Sequence, residues 1–343
     1  MSRASLRIHP DARRRLWLTW LVLILSFLVA CALSMFVGQG SLDTAEARQM
    51  FFELRAWRMA AAFGIGAALA MAGVVVQAVF QNPLAGPSII GTTAGAALGG
   101  QLALVGYQSA LGLSAASVLG AELVVPAGAV VGAVASLFLL LALTRRSNDM
   151  LVTLLVGFLL SSFFASIGAY VISKAQQSWE LGRAVLAFSM GSISSAGPTQ
   201  VAIVLCVMVV GGIAALSWHR HLDLLLTGDS EASSLGLNVP QVRRWGIVWT
   251  GILSAGAVAV GGSIAFVGLI VPHALRPFVG YQTAALLPSC AFAGGTFVIF
   301  CDVLSRLGPG RGETPLGVVT GLIGAPIFLY LLTRNRRTRS IDG

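Results

Sequence analysis

The chain has 343 residues, of which 56% are hydrophobic and only 10% carry a formal charge, and its mean hydropathy is +0.85. A soluble domain has about 25% charged residues, so this composition excludes a water-soluble protein and indicates an integral membrane protein. The net charge of +9 comes almost wholly from arginines near the ends of apolar stretches. Positive charge at such places sets the orientation of a membrane protein, which argues against nucleic-acid binding.

Apolar stretches long enough to cross a bilayer follow one another along most of the chain. A transmembrane helix needs about 20 apolar residues, and charged residues or Pro and Gly clusters mark its ends. These criteria predict helices at about 16–37, 59–80, 91–106, 114–142, 150–173, 199–217, 246–262, 283–303 and 316–333, with a shorter proline-interrupted segment at 264–279. The sequence therefore predicts an all-α integral membrane protein of about ten crossings, with one transmembrane domain at 16–333.

Basic tails at 1–15 and 334–343 flank this domain, and an even number of crossings puts both on one side of the membrane. With the N-terminus inside, the inner loops hold about twice as many lysines and arginines as the outer loops, which is the expected bias. We therefore predict a multi-pass protein of the cell's inner membrane with both termini in the cytoplasm.

Two glycine-rich helices are each followed by a proline. Gly64 to Gly73 leads into Asn82-Pro83, and Gly251 to Gly262 leads into Pro272. In the predicted topology the first helix runs inward and the second runs outward. Small-residue helices with breaks in opposite orientation are typical of an inverted repeat, so we predict such a repeat and a second break at Pro272.

No motif for catalysis or nucleotide binding is present: the sequence lacks GxxxxGK[ST], HExxH and GxSxG. The chain is therefore predicted not to be an enzyme. An ion-driven transporter places carboxylates within the membrane, whereas here the nearest candidates, Glu122 and Asp302, lie close to the outer ends of helices. The four histidines and four cysteines show no metal-ligand spacing, and we predict no metal site. The energy for any transport is therefore expected to come from a partner.

The segment at 218–244 is the most polar part of the chain between two apolar stretches. Apolar residues alternate there with acids and small polar residues, and Gly228 and Gly236 mark the ends of two short helices. Such a segment either binds a cytosolic partner or lies on the membrane surface, and the residue pattern alone leaves both interpretations open.

Five motifs together carry a resemblance to a known family. They are the Arg55 to Arg58 segment, Gln77 to Pro87, Ala232 to Leu237, Phe266 to His273 with Arg276, and Pro315 to Pro326. From about residue 50 to 333 the chain resembles the FecCD-type permeases of ATP-binding-cassette (ABC) importers for iron–siderophores, haem and vitamin B12. It departs from the family pattern at four positions: Trp57, Gly86, Ser263 and Ala265.

The resemblance implies the fold and partners of a type II importer permease: ten helices per chain and a second permease chain, with a homodimer expected. Two cytosolic ATPases would bind the 218–244 segment, use ATP themselves and leave this chain without a cofactor. The coupling residues expected by position are Leu222, Asp223, Leu226, Gly228, Glu231, Ala232, Leu235, Gly236 and Leu237. An extracytoplasmic binding protein would dock its glutamates on Arg55, Arg58 and Arg306, since arginine pairs well with carboxylates.

The expected cargo is an iron chelate, with a siderophore first, haem second and cobalamin third. A different class, a self-contained secondary transporter, is the alternative. We expect a wide pathway lined by small and apolar groups. The candidate pathway or gate residues are Asn82, Pro83, Arg183, Ser192, Ser194, Pro272 and His273.

Overall fold

The computed structural model describes residues 10–37, 45–111, 118–147, 149–194, 196–307 and 312–339. Within these residues the chain forms helices only, joined by turns. The helices are α1 Pro10–Phe36, α2 Ala45–Val79, α3 Thr92–Leu111, α4 Val118–Leu143, α5 Met150–Ala175, α6 Trp179–Met190, α7 Pro198–Ser217, α8 His219–Leu225, α9 Asp229–Ser234, α10 Val239–Gly261, α11 Val267–Val279, α12 Thr283–Ser305 and α13 Leu316–Arg339, with a short 3-10 helix at Pro87–Ile90. Of the predicted tails, 10–15 and 334–339 extend α1 and α13, and 1–9 and 340–343 lie outside the described residues.

Seven of the described helices are long and apolar enough to cross a bilayer: α1, α2, α4, α5, α7, α12 and α13. Helices α3 and α10 pack among them, and α11 is a shorter apolar helix. By length and composition the described residues thus contain seven candidate spans, and α3, α10 and α11 occupy the places of the other three predicted crossings. The all-α membrane fold predicted from the sequence is confirmed.

The direction of each helix follows from contacts at its ends. At the end of α2, Gln81 bonds to the backbone oxygen of Leu225 in α8, and Asp223 of α8 accepts a bond from the amide of Thr283 at the start of α12. At the other end, Arg58 near the start of α2 bonds to Asp302 near the end of α12. Helices α2 and α12 are therefore antiparallel, and they define an α8–α9 face and an opposite face of the protein.

Both ends of the described chain lie on the α8–α9 face. The end of α1 is on the opposite face, where Ser34 accepts bonds from Arg306, so α1 begins on the α8–α9 face. Helix α13 begins beside Ser305 on the opposite face and runs alongside α11, with Phe328 against His273. The predicted placement of the 218–244 segment on the side of both termini therefore agrees with the geometry.

Helices α2 and α10 pack against each other in opposite directions, as the predicted repeat requires. Gly246 near the start of α10 faces Val79 at the end of α2, and Gly261 at the end of α10 faces Ile65 earlier in α2. Each helix is followed by a non-helical stretch, at 80–86 after α2 and at 262–266 after α10.

The prediction of a break at Pro272 is wrong. The chain leaves the helix ten residues earlier, where Gly262 and Phe266 both take a φ of +67°, and Pro272 lies inside α11. Proline cannot donate to the carbonyl four residues before it, here that of Gly268. This carbonyl packs instead against α2, where a Cβ added to Gly73 would lie 1.8 Å from its oxygen. A glycine on the neighbouring helix thus provides space for the carbonyl that the proline leaves free.

Close approach between glycines also holds α2 against α12. A Cβ on Gly66 would lie 2.1 Å from the backbone oxygen of Gly294, and a Cβ on Gly294 would lie 2.5 Å from that of Gly66. Helices in lipid associate through such small residues because backbones can then come into van der Waals contact. Gly66 and Gly294 therefore serve the packing of these two central helices.

Candidate functional site: the α8–α9 surface, the cavity between the breaks and the arginine cluster

Helices α8 and α9 form a compact pair on a small apolar core. Leu225 and Ala232 are fully buried and pack with Val239 and Val242 at the start of α10. The turn between the two helices depends on Gly228, whose φ of +108° is accessible to glycine but strained for other residues. The alternation of apolar and polar residues in the sequence therefore produces an amphipathic helix pair rather than an extended loop.

The predicted coupling residues fall into two groups in this structure. Leu222 and Ala232 point inward, Leu237 packs on the small core, and Asp223 ties α8 to α12 through the Thr283 amide at 2.8 Å. Gly228 and Gly236 form turns with positive φ. The outward-facing members are Leu226, Glu231 and Leu235, and Leu235 exposes 65% of its surface. Contact of this surface with an ATPase stays a prediction.

Two polar side chains outside the predicted set fix α9 to the transmembrane helices. The Gln81 amide donates to the Asp229 carboxylate and to the Leu225 carbonyl oxygen, both at 2.8 Å. Arg243 of α10 pairs with the same carboxylate oxygen at 2.7 Å. Asp229 therefore joins the end of α2, the start of α9 and the start of α10. The motif from Gln77 to Pro87 contains Gln81, but no pattern in the sequence indicates that its amide reaches a helix far along the chain.

A cavity of about 550 Å³ lies between the two non-helical stretches. Its wall comes from the segment after α2, from α5, and from the segment between α10 and α11. Small and apolar groups make up most of it, with hydroxyls from four residues: Ser88, Thr93, Ser161 and Ser263. The Ser161 hydroxyl donates to the Ser88 carbonyl oxygen at 3.0 Å and so fastens the first stretch to α5. The two halves of the predicted repeat thus meet at one cavity.

None of the candidate pathway residues belongs to the wall of this cavity. Asn82 accepts a bond from the Leu84 amide at 2.9 Å and so shapes the turn after α2, next to Pro83. Pro272 and His273 are in α11, where the His273 ring contacts Phe328. Their roles in a pathway stay predictions.

The remaining pathway candidates lie in the first half of α6 and just after its end. Arg183 is exposed over the ring of Trp179, and the Ser192 and Ser194 hydroxyls bond to each other at 3.0 Å. Gly191, just before them, packs against the carbonyl of Ser263 in the cavity wall. The two serines therefore stand beside the end of the cavity that is nearer the opposite face, and a role there stays a prediction as well.

The three arginines predicted to dock a binding protein form a buried cluster on the opposite face. The fully buried carboxylate of Asp302 pairs with Arg58 at 2.7 Å and with Arg306. Arg306 also donates to the carbonyl oxygen and hydroxyl of Ser34, at 2.9 and 3.0 Å. These bonds connect the ends of α1 and α12 with the start of α2.

Arg55 and Arg58 complete the cluster toward its edge. Arg55 donates to the Met35 carbonyl oxygen at 2.6 Å and lies over the Phe51 ring. Arg58 uses its remaining nitrogen on Glu313 at 2.8 Å, and Glu313 is 45% exposed. Within the described residues each of the three guanidinium groups thus has an internal partner, and the Arg58–Glu313 pair borders solvent. Docking through these arginines stays a prediction.

Comparisons with known proteins agree with this architecture. The profile of the FecCD transport family matches residues 16–334. The cobalamin import system permease protein BtuC of Halobacterium salinarum is 35% identical over 279 residues, covering 81% of this chain and 71% of that protein. The Fe(3+) dicitrate transport system permease protein FecD of Escherichia coli is 35% identical over 287 residues, covering 84% and 86%.

A solved structure gives the same result for the fold. A metal-chelate type ABC transporter in an inward-facing conformation superposes with a TM-score of 0.80 at 29% identity, covering 94% of this chain and 99% of that one. The family match spans nearly all of the described helices, including both breaks, the α8–α9 pair and the arginine cluster. The chain is a transmembrane transport protein that belongs to the FecCD transport family.

Proposed function

We propose that this chain is the permease subunit of an ATP-binding-cassette importer that carries an iron chelate, with siderophore-bound iron as cargo, into the cytoplasm. ATP hydrolysis takes place in two partner ATPases bound to the α8–α9 face, and a binding protein delivers the chelate at the opposite face. This orientation puts both termini of the chain in the cytoplasm, in agreement with the distribution of arginines in the sequence.

The observation that carries the proposal is the way α8 and α9 are fastened. The pair exposes Leu226, Glu231 and Leu235 to a partner while Asp229 and Asp223 tie it to α2, α10 and α12. A partner that moves α9 therefore pulls on the end of α2 and on the start of α10. Those two helices lead directly into the two stretches that line the cavity, so motion on the α8–α9 face reaches the cavity wall.

The cavity wall supports a bulky cargo. Its small, apolar and hydroxyl-bearing groups suit a chelate that presents an organic periphery and brings its own metal ligands. The two relatives described above are named for cobalamin and for ferric dicitrate, which are both chelated metals. Cobalamin is therefore a competing cargo within the family, and haem is the other one that the resemblance of the sequence implies.

We further propose that two copies of the chain form a homodimer along α5. This helix contributes Ser161 and Ala165 to the cavity and leaves Leu155, Phe158 and Phe163 more than half exposed. An apolar face beside the cavity would let a second copy close the pathway from the other side. Chemical cross-linking from single cysteines on this face, compared with cysteines on α7, measures that arrangement.

Reconstitution in liposomes tests the function. The permease is combined with its ATPase and binding protein, and uptake of ferric siderophore, haem and cobalamin is measured with ATP inside or with an ion gradient alone. We expect ATP-dependent uptake of the ferric siderophore that requires the binding protein. Uptake by the permease alone under an ion gradient would instead establish a secondary transporter. ATP-dependent uptake of haem or cobalamin, without uptake of the ferric siderophore, would show that the proposed cargo is wrong.

Substitutions on the α8–α9 surface test the ATPase contact separately. Leu235→Asp places a charge on an exposed apolar position and is expected to weaken ATPase binding about tenfold or more, because an apolar anchor at an interface center contributes about 1–2 kcal/mol or more. Leu307→Asp, at an equally exposed position on the opposite face, is the matched control. Equal ATPase affinity of the two variants would exclude Leu235 from the interface.

A further inference from the structure

A basic cleft opens on the α8–α9 face, apart from the α8–α9 surface and from the cavity between the breaks. One part, of about 310 Å³, lies between the α4–α5 turn and the start of α10, and its wall includes Arg145, Arg243 and Arg244. A second part, of about 510 Å³, adjoins it at Pro240 and Arg244 and extends along α10 to Trp245 and Val248. Apart from Arg243, which ties α10 to Asp229 of α9, the residues that line the two parts have no role in the function proposed above.

The charge of the cleft is unbalanced. Arg145 and Arg244 are exposed, and within the described residues neither forms an ion pair. Asp229 neutralises Arg243 through one nitrogen, while the buried Nε of Arg243 has no acceptor among the described residues. The exposed Arg145 and Arg244 therefore leave the cleft with an excess of positive charge, and a negatively charged group would be stabilised there.

Most of the remaining wall of the first part is apolar. Val79, Leu141, Met150 and Ile247 line it, together with the hydroxyl-bearing Thr144, Ser147 and Thr153. The cleft therefore offers both cationic groups and hydrocarbon contact, which is the arrangement that an amphipathic anion requires. A small free anion would use only the cationic groups.

The cleft also lies at the level of a membrane surface. It is formed where α4 ends, and where α5 and α10 begin. Trp245 in its wall is 43% exposed and belongs to a row in which Trp218, Trp245 and Trp249 follow one another at ring separations of 6.3 and 6.2 Å. Tryptophans concentrate at the interface between headgroups and hydrocarbon, so the arginines are placed at headgroup depth.

We propose that this cleft is a binding site for the phosphate headgroup of an anionic phospholipid. Arg145 and Arg244 hold the phosphate from two sides, and an acyl chain lies along Trp245 and Val248. Basic pockets between transmembrane helices at the membrane surface recognise anionic headgroups by this chemistry. The bound lipid would fix the α4–α5 turn relative to the start of α10.

Native mass spectrometry of the full-length permease tests the proposal. Delipidated protein is offered phosphatidylglycerol or phosphatidylcholine with the same acyl chains, and the lipid retained on the protein is measured. We expect about tenfold preference for phosphatidylglycerol, lost in the double variant Arg145→Gln with Arg244→Gln. The control Arg146→Gln with Arg220→Gln removes the same charge from two exposed arginines outside the cleft and is expected to keep the preference.

The remaining outcomes separate the alternatives. Arg145→Lys with Arg244→Lys preserves the charge and should retain most of the preference, which excludes misfolding as the cause of the loss. Equal losses in the two Gln double variants would overturn the site in favour of general electrostatic attraction. Displacement of the lipid by millimolar inorganic phosphate would assign the cleft to a free anion, and displacement by the partner ATPase would assign it to that interface, and either result would overturn the lipid site.

Discussion

The two ends of α2 carry polar clusters of opposite character. At the opposite face, Asp302 is fully buried between Arg58 and Arg306, and the cluster closes over the end of α1. At the α8–α9 face, Asp229 is about half exposed and joins Gln81 to Arg243 through single bonds. The first cluster connects transmembrane helices to one another, whereas the second connects them to a helix pair outside the membrane body.

This difference indicates which end of the protein can move. Breaking a buried ion pair leaves a charge unsolvated and costs several kcal/mol, so the cluster around Asp302 holds α1, α2 and α12 in one arrangement. An exposed pair contributes about 0–1 kcal/mol, so the links at Asp229 can lengthen or rotate when a partner pushes on α9. If a partner moves the permease from the α8–α9 face, we expect the helices to keep their arrangement at the opposite face. Four substitutions test this comparison between the two faces.

The largest effect is expected for Asp302→Ala. Removal of this carboxylate leaves Arg306 buried beside Arg58 without a counter-charge, and the expected loss of stability is about 3–5 kcal/mol. Thermal denaturation of the purified permease in detergent, followed by gel filtration, measures it as a large fall in the melting temperature. Asp229→Ala removes the corresponding carboxylate at the other face, and an equal fall in that variant would contradict the comparison.

A second substitution tests the part of α2 that joins the two clusters. Gly73→Ala would place a methyl group 1.8 Å from the Gly268 carbonyl oxygen, and because this is backbone the α2–α11 contact must open. Overpacking of this kind costs about 1–3 kcal/mol. The same thermal assay should show a clear fall, whereas Gly321→Ala, with no atom within 4 Å of the new methyl group, should leave the melting temperature unchanged or slightly raised.

A smaller and local effect is expected for Gln81→Glu. The change replaces an amide donor by a carboxylate facing Asp229 and the Leu225 carbonyl oxygen, while Arg243 still holds Asp229. Loss of such bonds costs about 1 kcal/mol, so amide hydrogen exchange at 228–236 should accelerate about fivefold with little change in the melting temperature. The control Gln241→Glu changes an exposed amide nearby. If this variant accelerated exchange at 228–236 equally, Gln81 would not be a specific anchor of α9.

The positions of many helices could be predicted because the length of an apolar stretch and the polar residues that end it are properties of the local sequence. The predicted helices at 150–173, 199–217 and 283–303 differ from α5, α7 and α12 by at most two residues at either end. Pro272 misled the prediction, because whether a proline ends a helix depends on where the freed carbonyl goes, and that is decided by Gly73 on another helix. Sequence pattern alone does not contain this contact.

The functional sites could likewise be predicted only where the local sequence pattern determines them. The amphipathic pattern around Gly228 predicted the exposed helix pair, since periodicity records which residues face outward. It did not reveal that Gln81 binds Asp229, or that Arg58 and Arg306 share Asp302, because these partners are far apart in the chain. From the sequence, Arg58 and Arg306 are predicted to be free for docking, whereas the fold places the Asp302 carboxylate between them.

The smallest effect is expected for Glu313→Gln, at the solvent edge of the buried cluster. Glu313 is 45% exposed, and Arg58 keeps its bonds to Asp302 without it, so the melting temperature should change by no more than an exposed ion pair allows, about 0–1 kcal/mol. The variant nevertheless removes the carboxylate charge that competes for this guanidinium group, because the Gln carbonyl oxygen is a weaker acceptor. If Arg58 receives a carboxylate of the binding protein, Glu313→Gln should increase the affinity for that protein, as measured by biolayer interferometry, and Glu53→Gln should not. Unchanged affinity would place the docking contact elsewhere on the opposite face, and a large loss of stability would show that the cluster extends to its exposed edge.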